Sequence, residues 1–178
     1  MAIILETTGL KKNFRIKPAL RDITLTLESG RILGLMGPNG SGKTTFLKTI
    51  AGLQKPSGGS FTVCGMPCGV ETKKLVSFLP DRNSLYPWMT ALDAIDFYAD
   101  FFADFDRAKA LEMLSFMKLE QGQKVKEMSK GMTEKMDLVL AFSRKARLFL
   151  LDEPLGGVDP VARERIVELL RLCAAPQA

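Results

Sequence analysis

No histidine occurs anywhere in the 178 residues, which removes the side chain most used for acid–base work near neutral pH and most used to hold transition metals. Cysteine is almost as scarce, with only Cys64, Cys68 and Cys173. An odd number of thiols in a chain without a secretory leader makes no complete disulfide framework and points to a reducing compartment. Cys64 and Cys68 are spaced like a metal pair, but a zinc site wants about four ligands, so small buried side chains near a hairpin are the expected reading. Long apolar runs are missing as well. The strongest, Leu148–Leu151 and Leu138–Phe142, fall far below the roughly 20 residues of a membrane-spanning helix. The start, Met1 to Glu6, has no basic residue and its apolar stretch is broken by Glu6, so no secretion signal is expected.

Charge of one sign is not in great excess either: 25 Lys+Arg against 20 Asp+Glu leaves a net +5. Spread over this length, that describes a solvated surface more simply than a polyanion-binding one, and no long basic tract is present. With 46 % hydrophobic residues, intrinsic disorder is excluded and one globular domain is expected.

The chain divides into three sections. Up to Met36, the apolar runs Ile3–Leu5, Ile23–Leu27 and Ile32–Met36 are separated by Gly9, Pro18 and the Ser29-Gly30 turn and read as strands. A glycine-rich loop follows, then Phe46, Ile50 and Leu53 at helical spacing, stopped by Pro56 and Gly58-Gly59. From about 88 to 143 the apolar residues keep helical spacings, as in Leu92, Ile95, Ala99 and Phe102, and later Met132, Met136, Val139 and Leu140. A buried strand is expected at Leu148–Leu151, and a last amphipathic helix through Ile166, Leu169, Leu170 and Cys173.

Gly37-Pro38-Asn39-Gly40-Ser41-Gly42-Lys43-Thr44 fits G-x-x-x-x-G-K-[ST] between an expected strand and an expected helix. Glycines 37, 40 and 42 let backbone N–H groups converge on a phosphate, and the helix N-terminus adds its partial positive charge. Lys43 supplies a point charge to the terminal phosphates, and the Thr44 hydroxyl suits Mg2+. The adjacent carboxylates Asp152 and Glu153 stand at the C-terminal end of the buried strand, where open α/β sheets place their ligands. Asp152 is suited to holding Mg2+ and Glu153 to polarising the water that attacks a terminal phosphoryl group.

With Met128-Ser129-Lys130-Gly131-Met132 preceding that pair, the chain resembles the ATP-binding subunits of ATP-binding cassette (ABC) transporters over essentially its whole length. The resemblance implies an α/β fold: a P-loop NTPase core with a mainly parallel sheet, an N-terminal antiparallel β-subdomain and a helical signature subdomain over residues 82–143. It implies ATP and Mg2+ as cofactors, with Gly37, Pro38, Asn39, Gly40, Ser41, Gly42, Lys43, Thr44 and Thr45 around the phosphates, Thr44 and Asp152 on the metal, and Glu153 catalytic. By the same resemblance, Phe14 stacks on adenine, while Ser129 and Gly131 contact the γ-phosphate held by a second subunit in a head-to-tail dimer. A cap role for Ser129 and an ordinary strand or turn role for Phe14 remain open beside these.

The family's D-loop is matched by Gly156-Gly157-Val158-Asp159, where Asp159-Pro160 also reads as a helix start. Asp81 falls where the family usually carries a glutamine touching Mg2+ and the attacking water; a metal ligand and a turn residue are both open for it. The family's switch histidine, which follows a further strand, has no counterpart, so the chain resembles a C-terminally shortened cassette. The implied partners are a second nucleotide-binding subunit and an integral membrane permease, at the cytoplasmic face of the membrane. The Ser-Lys-Gly-Met form of the signature implies an export-type system. Trp88, Phe97, Tyr98, Phe101, Phe102 and Phe105 suit either a groove for a permease helix or helical core packing. Two other readings stand beside ATP-driven transport: a cassette that binds ATP without hydrolysing it, and a nucleic-acid-associated cassette ATPase, for which no tandem second cassette or coiled-coil insertion speaks.

Overall fold

The computed structural model describes residues 2–81 and 85–154. The expected last helix and the Gly156–Asp159 motif lie outside the described residues. Ile3–Phe14 (β1) and Lys17–Glu28 (β2) form a long antiparallel hairpin, and Gly58–Val63 (β3) and Met66–Pro67 (β4) extend it into a four-stranded sheet of order β2-β1-β3-β4. Gly9 and Pro18, expected to separate strands, lie inside them. The reason is a pair of irregularities in the ladders of β1, where the register shifts between Thr7 and Leu10 against β2 and between Thr8 and Lys11 against β3. Gly59 fits this point with φ +71°, and any side chain there would strike the Gly9 carbonyl.

Lys43–Ile50 (α1) follows the glycine loop, and Val70–Lys74 (α2) leads into Val76–Leu79 (β5). The helical section contains Ala91–Phe101 (α3), Arg107–Phe116 (α4) and Lys130–Phe142 (α5), each opened by a side-chain cap: Thr90, Asp106 and Ser129 accept from Asp93 N–H, Lys109 N–H and Met132 N–H. The chain then returns through Leu148–Leu151 (β6), which pairs with β5 in parallel, Val76 to Leu148 through Leu79 to Leu151.

This short parallel sheet is a wall between two cores. Because successive strand residues face opposite sides, Val76, Phe78, Leu148 and Leu150 pack with the antiparallel sheet and α1, while Leu79, Phe149 and Leu151 pack with the helices. Burial on both faces explains why β6 is an unbroken apolar run. Buried Arg144 rivets the helical side to the wall. Its guanidinium donates to the Lys74 and Val76 carbonyls, each at 2.9 Å, and to both Asp104 oxygens, and lies 4.1 Å from the Phe102 ring centre.

The expected strand at Ile32–Met36 is not formed. Residues 31–38 have neither helix nor strand, Ile32 is 64 % exposed and Met36 96 %. The composition suits a strand buried on both faces, but a strand also needs a neighbour for its N–H and C=O groups. Among the described residues, β6 pairs with β5 alone, and Leu35 only rests against the core that holds Leu148 and Leu150.

Candidate functional site

The glycine loop meets the antiparallel sheet where Gly42, with φ +101°, precedes α1. A Cβ at Gly42 would come within 2.5 Å of the Ala19 carbonyl, so glycine is required both for the conformation and for the close approach. The first turn of α1 thereby aims its N–H groups into a cleft of about 390 Å3 beside β1 and β2. Phe14, Asn39, Gly40, Gly42, Lys43, Thr44, Thr45 and Glu153 line it, together with Lys17, Pro18 and Ala19. Gly37, Pro38 and Ser41 complete the same loop without lining the cleft. The Lys43 ammonium donates to the Gly37 and Pro38 carbonyls at 2.8 and 3.1 Å, so a bound phosphate would compete with main-chain carbonyls for that cation.

The Thr44 hydroxyl donates to Asp152 Oδ1 at 3.0 Å, across 108 positions of sequence. Asp152 is held at the end of the wall by its own N–H, which donates to the Leu79 carbonyl at 2.9 Å. It is 3 % exposed, and its Oδ2 has no hydrogen-bond partner. A buried carboxylate oxygen without a donor, beside a threonine hydroxyl, is a donor set that fits a hard divalent cation such as Mg2+. The next residue, Glu153, holds the left-handed conformation at φ +52°, a strained placement for a non-glycine residue.

Glu153 also lines a second, smaller cavity of about 90 Å3, between the wall and α5, shared with Asp81, Asp152, Lys130, Glu134 and Asp137. Asp81 is thus brought to the same cavity as Asp152 and Glu153. Asp137 is a group that sequence reasoning missed. Desolvation, with a smaller contribution from Glu134, pushes its carboxyl up to about 7. The available signal was an acidic residue within the apolar run Met136–Phe142 of α5. Arg144 escaped notice for a different reason, since all its partners are distant in sequence.

Ser129 and Gly131 lie at the start of α5 and line neither cavity, so within one chain they are not joined to the cleft beside the glycine loop. Ser129 caps α5, accepting from Met132 N–H at 3.3 Å. Of the six aromatics assigned to groove or core, Tyr98, Phe102 and Phe105 pack together by their rings, while Trp88, Phe97 and Phe101 are exposed, Phe101 still touching the rings of Phe97 and Phe102.

The family model described as ABC transporter matches residues 20–156. The ABC transporter ATP-binding protein YtrB of Bacillus subtilis (strain 168) is 31 % identical, over 94 % of this chain and 58 % of that protein. The taurine import ATP-binding protein TauB of Yersinia pestis bv. Antiqua (strain Antiqua) is 34 % identical, over 94 % of this chain and 67 % of its own length. The chain therefore spans between about half and two thirds of these curated relatives. A solved ATP-binding subunit of an ABC transporter superposes with a TM-score of 0.87 at 28 % identity, covering 97 % of this chain and 75 % of that one.

Proposed function

Since the chain belongs to the ABC transporter family, we propose that it binds Mg-ATP in the cleft beside the glycine loop and hydrolyses it to drive a membrane transporter. The observation that carries this reading is the meeting of Lys43, Thr44, Asp152 and Glu153, from two distant stretches of sequence, at one place. Lys43 and the N–H groups at the head of α1 draw the phosphates in; Thr44 and Asp152 would hold Mg2+, which when bound neutralises charge on the phosphate oxygens. Glu153 orients and polarises the attacking water, and its position between the two cavities supports that role. Asp81 reaches this water or the metal from the second cavity. Phe14, 48 % exposed at the end of β1, stacks on the adenine.

The exposed start of α5, with Ser129 and Gly131, completes the site on a second cassette subunit head to tail, and an integral membrane permease is the further partner, at the cytoplasmic face of the membrane. The Ser129-Lys130-Gly131-Met132 sequence supports an export-type system. One observation favours a second reading, a cassette that binds without turning over: these 178 residues contain no histidine. Steady-state hydrolysis of Mg-ATP beside Glu153→Gln, with nucleotide binding followed in the same samples, separates the two. Turnover that vanishes in the variant while binding persists is the expected result. Binding without turnover in both chains would establish the silent module.

A further inference from the structure

Phe14 is exposed and stands at the last position of β1. Its neighbour is Lys12, two residues back, whose ammonium lies over the ring at 5.2 Å from the centroid. The same ammonium donates to the Lys55 carbonyl at 2.7 Å. Lys12 is half-buried and is not among the residues that line the nucleotide cleft, whereas Phe14 is. One face of the ring is thus covered from outside the cleft.

The anchor matters as much as the cation. Lys55 and Ser57 belong to the stretch that follows α1, the helix whose N-terminus carries the glycine loop. Two further bonds tie β1 to that stretch: Asn13 N–H donates to Ser57 Oγ at 3.0 Å, and Ser57 N–H donates to the Lys11 carbonyl at 2.8 Å. The ring platform and the phosphate loop are therefore registered to one another through residues 55–57. A cation near an aromatic face is held by the ring quadrupole, and this one is fixed by a main-chain acceptor that neither moves with the ring nor neutralises the charge.

We infer that Lys12 is a positioning residue for the nucleobase: its ammonium, anchored on Lys55, backs the Phe14 ring and fixes it at the distance from the phosphate loop that a nucleoside triphosphate spans. This rests on the reading of Phe14 as the base-stacking residue. Lys12 acts through Phe14 and touches no phosphate, so its contribution is confined to ligands that carry a base.

Calorimetric binding of ATP and of inorganic tripolyphosphate, the same charge without a base, to the full chain tests this at constant Mg2+ and ionic strength. Lys12→Met is expected to weaken ATP about two- to fivefold and to leave tripolyphosphate unchanged. Lys12→Gln, which keeps a donor for Lys55 but no cation, should behave as Lys12→Met does, and Lys12→Arg should restore binding. In a Phe14→Ala background, Lys12→Met should have no further effect on ATP. Unchanged ATP affinity in both Lys12→Met and Lys12→Gln would overturn the proposal, as would equal losses for ATP and tripolyphosphate, which would mark a general charge or folding effect. Should Phe14→Ala leave ATP affinity unaltered, the base-stacking reading itself fails, and Lys12 falls with it; no binding of either ligand would instead remove the nucleotide-binding reading.

Discussion

Asp137 keeps its proton at pH values where an ordinary aspartate has lost it. Around it lie Lys130 and Glu134 from α5, with Asp81, Asp152 and Glu153 across the small cavity. Because burial raises its carboxyl from an ordinary 3.8 to about 7, the folded chain retains a proton that the unfolded chain releases between those values. The contribution to stability is therefore full below about pH 4 and declines as pH rises toward 7, by at most about 4 kcal/mol. Asp137→Asn removes that dependence. Its stability relative to the parent chain, from urea melts at pH 5 and pH 8, should rise by more than about 1 kcal/mol between the two. A difference that stays constant across that range would show that Asp137 is charged throughout. That the glycine loop and the Asp152-Glu153 pair belong together was legible in the sequence because Gly37–Thr45 and Asp152-Glu153 are contiguous stretches whose chemistry survives without a fold. Asp137 was not, because its unusual proton affinity comes from neighbours that only folding supplies.

Among the elements, α5 is tied at both ends to functional ground. Its first turn begins at Ser129, and just beyond its last turn Arg144 grips β5, whose far end leads to Asp81. Removing the guanidinium would strand the Asp104 carboxylate, only 28 % exposed, and two main-chain carbonyls. Arg144→Met should cost about 3–5 kcal/mol in chemical denaturation, with Arg144→Lys recovering only part, since an ammonium cannot fork to Asp104 and reach both carbonyls. A loss under about 1 kcal/mol would show the rivet to be dispensable. The helices themselves followed from periodicity, which is a local signal. The strand expected at Ile32–Met36 did not follow, since a strand is completed by another stretch of chain and apolar composition alone supplies no hydrogen-bond partner.

At the scale of the molecule, the two-stranded wall separates a helical core from an antiparallel one and delivers Asp81, Asp152 and Glu153 at one end. That arrangement lets the antiparallel sheet and the helical section with its capped α5 both border Glu153, which lines the cavity on either side. It also leaves residues 31–38 outside both sheets, with neither helix nor strand. Serine proteases bind about six to eight residues of substrate as an added strand along the enzyme's own edge, which a stretch held in neither helix nor sheet is free to supply. Arg31, exposed and followed by Ile32, offers trypsin its preferred side chain at the head of that stretch, whereas Lys17 and Lys55 are each followed by proline. Brief digestion of the native chain, read by mass spectrometry, should show the bond after Arg31 as the first cut among the described residues; earlier cleavage in the Arg15 turn would contradict it. Such a nick would sever only the covalent link between β2 and the glycine loop, while β1 stays zipped to β3 and bonded to residues 55–57, so the cut chain would keep Phe14 in register with that loop.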